Sequence, residues 1–182
     1  AHAWMAFRLG DNTAARLGRL TLNPMAHLDP VGSIALLLMG FGWAKPVPVD
    51  IRYLSNPRDD MVKVAAAGPL SNLLLAVLAA LFLRFMFGSG LLTGQIKSFI
   101  IIFMQINITL AVFNLLPVSP LDGSQILSPF IEKKFGSETV YKMEVYGPRL
   151  LFFIIIFSMF TGIHIFSFII TPIFNLFLFI FF

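Results

Sequence analysis

The chain contains no cysteine, which excludes disulfides, thiolate metal sites and a cysteine nucleophile, so any metal must be held by histidine and carboxylate. Charge is nearly as scarce. Only 12% of the 182 residues are Asp, Glu, Lys or Arg, against about 25% in average soluble domains, which excludes an ordinary solvated surface. Apolar bulk takes its place, with 58% hydrophobic residues, 21 Phe and a mean hydropathy of +0.87. A bilayer core about 30 Å thick needs roughly 20 apolar residues as helix to cross it. Runs free of Asp, Glu, Lys and Arg extend from Val64 to Leu83, from Ser98 to Leu121 and from Leu150 to Phe182. They predict an all-α polytopic membrane protein with membrane segments over 64–87, 98–118 and 150–182.

A fourth apolar run, from Val31 to Ala44, is too short to span and suits a short re-entrant or extended element, which a bilayer tolerates only against protein or a wet cavity. The last run has the opposite problem. Its 33 residues would make a helix of about 50 Å, so it must bend or turn back, with Gly162 and Pro172 as the expected places. The chain opens on Ala1 and His2 without a Met or a basic stretch, so no cleavable signal is expected and the start is read as lying within a longer protein.

The net charge of +4 raises nucleic acid as a partner, but cations in a polytopic protein more often report orientation. If residues 31–44 dip in and return, eleven Lys and Arg gather on one face, leaving only Arg84 and Lys97 opposite. The richer face is then cytoplasmic, together with His2, Asp122 and Ser137, while Ser89 falls on the other side.

The second long run ends Asn114, Leu115, Leu116, Pro117, Val118, Ser119, Pro120, Leu121, Asp122, Gly123. Two prolines break the helix there, and a broken helix at membrane depth frees backbone groups that can build a site. The bland alternative makes Asp122 and Gly123 a turn after Pro120, with Gly supplying positive φ. Gln105, Asn107, Thr109 and Asn114 are expected to face inward, and Ala65, Ala66, Ala67, Gly68, Asn72, Ala76, Ala79 and Ala80 form a close-packing face. His27 stands before a helix start at Asp29 and Pro30 and reads as a structural or rim residue. His164 reads as a bonded packing histidine.

Ala1, His2, Ala3 near the start, Asp29 to Gly32, Ala67 to Pro69 with Asn72, and Asn114 to Gly123 together resemble the site-2 protease family of intramembrane zinc metalloproteases, in the bacterial branch without a PDZ insertion. The likeness runs to about Tyr146 and is most specific at Asn114 to Gly123. It implies that His2 is the second histidine of H-E-x-x-H and a zinc ligand, that Asp122 is the carboxylate ligand, and that Asn114 steadies the tetrahedral intermediate. The first histidine and the general-base glutamate would stand just upstream of Ala1, making residues 1–182 an N-terminally truncated, single metalloprotease core. The implied cofactor is Zn2+, the implied partners are a transmembrane substrate and the bilayer, and the implied place is a bacterial inner membrane with the site near the cytoplasmic side. The stretch from Val31 to Val49, ending in Lys45, Pro46, Val47, Pro48, is expected to offer an edge to an unwound substrate. The alternatives are a transporter or channel, whose broken helices also hold polar residues, and a non-catalytic homologue.

Overall fold

The computed structural model describes residues 1–39, 42–86 and 93–182, in two compact units over residues 1–64 and 65–182. The expectations that fall on Gly40, Phe41, Phe87 and Ser89 lie outside the described residues. Among the described residues eight α-helices and no named strand are found, as an all-α membrane protein requires.

The first unit is short helices joined by irregular chain. Helices α1 (His2–Arg8) and α2 (Thr13–Arg16) pack together and precede α3 (Pro30–Met39). Asp29 caps α3, its Oδ1 accepting from Gly32 N–H at 2.8 Å, with Pro30 at the first helical position where a missing N–H costs nothing. The chain then comes back against α3. A Cβ on Gly32 would lie 2.1 Å from the Trp43 carbonyl oxygen, and one on Gly42 would lie 2.2 Å from that of Gly32. Leu28 pairs antiparallel with Ala44, and Lys45 N–H donates to His27 O at 2.9 Å, closing the base. The short apolar run is thus a helix and a return held in a hairpin by two glycines.

The second unit carries the long apolar helices, apart from the first two turns of the helix Pro57–Met86, which belong to residues 1–64. Three are long and apolar enough to cross a membrane: α4 (Pro57–Met86), α5 (Gly94–Asn114) and α7 (Ser137–Thr161), with α6 (Asp122–Phe135) between the last two and α8 (Ser167–Phe181) at the end. Apolar side chains gain nothing by leaving lipid for one another, so small residues that let backbones approach do the packing. Ala65, Ala67, Ala76 and Ala80 are buried as expected, and Ala80 and Leu83 of α4 join Ile100 and Met104 of α5 in a cluster that Phe177, Leu178 and Phe181 of α8 cover.

The C-terminal run breaks at Gly162, which takes φ +69° in a left-handed cap, and not at Pro172, which stays inside α8. Proline's φ near −65° is itself helical, whereas positive φ is where glycine alone is unstrained. Phe166 before α8 meets Phe113 near the end of α5, with ring centroids 5.1 Å apart, and Arg84 in the last turn of α4 donates to Phe181 O at 2.5 Å. Helix α8 therefore runs antiparallel to α5 and ends beside the C-terminus of α4.

Candidate functional site

His2 opens α1, whose Ala3 and Ala6 are buried, and its half-buried ring places Nδ1 2.8 Å from Val64 O. A carbonyl oxygen only accepts, so Nδ1 is the donor, and in the neutral ring the lone pair is then on Nε2. Metal-binding imidazoles are held this way, with one ring N–H on a carbonyl so that the other nitrogen is fixed in tautomer and direction. Val64 is 62 residues away in the chain, and no local signal points to it.

The second cluster surrounds the proline break. Helix α5 stops at Asn114, the Ser119–Pro120 peptide is cis, and α6 starts at Asp122. Asp122 is half-buried in the first turn of α6, where unpaired backbone N–H groups and the helix dipole favour an anion. Gly123 does not have positive φ, so the turn reading does not explain it. A Cβ there would lie 2.2 Å from Leu115 O and 2.5 Å from Leu116 O. The start of α6 is pressed onto the carbonyls that end α5, and only glycine allows that approach. Asn114 and Asp122 each adjoin this contact, so the structure brings their two chain segments together.

Asn114 is half-buried and donates one of its two Nδ2 hydrogens to Leu110 O at 2.9 Å; Asn107, seven residues earlier on the same face, is buried and donates to Phe103 O at 2.8 Å. Thr109 is half-buried. Gln105 is exposed and does not face inward as expected. Two residues along a helix turn the side chain by about 200°, so Gln105 cannot share the face of Asn107. A largely apolar groove of about 310 Å³ lies beside the break, between Pro117 to Ser119 and the α7 side chains Met143, Tyr146 and Leu150. Gly147 lets α7 approach, since a Cβ there would be 2.8 Å from Ser119 O.

The other histidines part from this chemistry. His27 Nε2 lies 2.9 Å from Thr21 O, and its carbonyl serves the hairpin base, a structural role as expected. His164 is exposed in the connection after α7 and is not the packing histidine expected, because the chain leaves the helix at Gly162. In kind, the residues present suit zinc, which takes imidazole nitrogen and carboxylate oxygen: His2 presents Nε2 by virtue of Val64, and Asp122 stands at a helix start. Among the described residues no three His, Asp or Glu side chains gather as a metal would need.

Sequence reasoning also missed Asp11. It is fully buried, and its carboxylate accepts from Thr13 N–H and Asp50 N–H, each at 2.8 Å. Burial pushes its pKa up, but the hydrogen bonds from Thr13 and Asp50 outweigh this and hold it below the ordinary 3.8. Asp-x-Thr is a local signal for the first bond, an Asx-turn, but nothing nearby announces the second.

Long apolar helices, a proline-broken helix followed by Asp and Gly, and a histidine oriented by a carbonyl are the features by which the chain resembles membrane proteases of the site-2 type. Residues 89–158 match the model of peptidase family M50. It is 45% identical over 136 residues to the Bacillus subtilis protein named "Putative zinc metalloprotease YwhC", covering 72% of this chain and 62% of that one. It is 31% identical over 136 residues to "Putative zinc metalloprotease Rip2" of Mycobacterium tuberculosis, covering 71% and 51%, and 38% identical over 104 residues to "Putative zinc metalloprotease MJ0611" of Methanocaldococcus jannaschii, covering 56% and 52%. The chain thus spans about half to three fifths of the length of these relatives. No solved structure matches it significantly.

Proposed function

We propose that this chain is the membrane-embedded core of a zinc-dependent endopeptidase that cuts membrane-protein substrates near the cytoplasmic face of a bacterial inner membrane. His2 and Asp122 are two of its zinc ligands, and Asn114 supports the transition state. The bond from His2 Nδ1 to Val64 O carries the reading, because it leaves the imidazole in the tautomer a metal requires. The match of residues 89–158 to family M50 supports the same chemistry, and the eleven cations that fall on one face if residues 31–44 dip in and return support the cytoplasmic placement.

Zinc bound there would polarise the scissile carbonyl and lower the pKa of a water. The chain's own residues do the rest. Val64 O holds the His2 ring, and the contact of Gly123 with Leu115 and Leu116 holds Asp122. The second Nδ2 hydrogen of Asn114 is the donor for a developing oxyanion. The hairpin return at Lys45 to Val49 offers an edge to a substrate whose helix has unwound.

Asp122→Asn tests the reading in the protein that carries the upstream His-Glu pair. Asn is as good in a turn but replaces an anion by a neutral carbonyl. Zinc content and cleavage should both be lost while membrane insertion and expression persist. Full zinc and normal cleavage would reduce Asp122 to a structural residue. Asn114→Ala should keep zinc and slow turnover by about 100- to 1,000-fold, the usual effect of removing one oxyanion donor.

A further inference from the structure

The return of the hairpin is held by an arginine from another part of the first unit. Arg19 Nη2 donates to Lys45 O at 2.8 Å and to Pro46 O at 3.3 Å. Its Nε is buried and has no hydrogen-bond partner among the described residues. A buried donor left unpaired costs about 1–3 kcal/mol, so a purely stabilising clip would be expected to satisfy it. Such local violations occur where a residue answers to function.

What Arg19 holds is a stretch unable to hold itself. Pro46 and Pro48 have no N–H, so four donors remain between Lys45 and Asp50. Lys45 N–H goes to His27 O and Asp50 N–H to Asp11 Oδ2, which among the described residues leaves the N–H groups of Val47 and Val49. Lys45 and Val47 each precede a proline, which favours extended backbone, and residues two apart in extended chain point their N–H groups the same way, as an added strand needs. Arg19 Nη2 alone bridges the two carbonyls just before Val47, and the planar guanidinium that carries it is more rigid than a flexible ammonium.

We infer that Arg19 is a positioning residue: by gripping the Lys45 and Pro46 carbonyls it sets the Val47 and Val49 N–H groups to receive an extended segment of a membrane-protein substrate. The inference rests on the edge role proposed above, and not on the zinc ligands.

Residues 1–182 contain no cysteine, so in the full-length protein, with any cysteine outside them replaced by serine, Val47→Cys supplies a single thiol for disulfide trapping. The probe is an apolar membrane peptide of about 20 residues with a central Gly-Pro break and one cysteine beside it. Trapping should occur at Val47→Cys and fall about tenfold when Arg19→Ala is added, the loss expected for a hydrogen bond from a charged group, with Arg19→Lys between the two. In the enzyme with Val47 intact, Arg19→Ala should raise KM about tenfold and leave kcat and zinc content within about twofold. If Arg19→Ala fails to fold, the Lys variant carries the same test at smaller amplitude. Trapping and KM unchanged by either substitution would overturn the inference, as would absence of trapping at Val47→Cys in an enzyme that binds zinc and cleaves. Arg19-dependent trapping in a protein that binds no zinc would instead uphold the inference and remove the protease reading.

Discussion

Residues 1–64 rely mainly on polar side chains that reach for distant backbone, whereas residues 65–182 rely mainly on apolar packing and on small residues that let backbones touch. In the first unit Asp11 takes the N–H of Asp50, Arg19 takes the carbonyls of Lys45 and Pro46, His2 bonds Val64 O, and Asp29 caps α3. In the second, alanines line the buried side of α4, and Gly123 and Gly147 allow backbones to touch at Leu115 and Ser119. The difference follows from what each unit must satisfy. Irregular chain carries backbone groups that no helix pairs, so polar side chains complete them. Long apolar helices pair their own backbones and in lipid gain from close contact alone.

The contrast predicts a large effect where a methyl group enters a backbone contact. Gly123→Ala should destabilise the protein by about 3 kcal/mol, at the upper end for overpacking, because the intruding Cβ faces carbonyl oxygens rather than a flexible side chain. Thermal unfolding in detergent measures it, and a shift no larger than that of Gly94→Ala, where a Cβ meets nothing within 4 Å, would break the comparison.

A smaller, local effect is expected in the first unit. Asp11→Ala should loosen the hairpin return by about 2 kcal/mol, since the N–H groups of Thr13 and Asp50 lose a charged acceptor. Trp43 fluorescence should report it while the helices of residues 65–182 melt unchanged. The pH dependence has a definite sign. The folded pKa of Asp11 lies below the ordinary 3.8, so its stabilisation is present above that value and is lost as pH falls through the folded pKa. Asp50, held at about 2 by Arg52, follows the same direction. A Trp43 transition on acidification that persists in Asp11→Ala would assign it elsewhere. The smallest effect should come from Gln105→Leu, within about 0.5 kcal/mol of zero, because the side chain is exposed on the face away from Asn107.

Much of this was legible without coordinates. Hydropathy marked the long helices, Pro117 and Pro120 marked the break before Asp122, and Gly162 was named as a bend. Asp29 and Pro30 announced the start of α3. The expectation for Pro172 failed because it weighed the lost donor and not the helical φ that proline prefers. The expectation for Gln105 failed because it took polarity for sidedness.

The sequence by itself determined the class of protein, the helix breaks at Pro117–Pro120 and Gly162, and which residue types could hold a metal. These depend on hydropathy, steric limits and donor chemistry that act within a few residues. Only the tertiary structure decided that Val64 O sets the His2 tautomer, that Gly123 is needed for contact and not for a turn, and that Arg19 grips Lys45 and Pro46. It also decided that α8 ends beside Arg84. Each of these joins groups that local chemistry leaves unpaired, and which of many equivalent partners completes them is set only when the chain closes on itself.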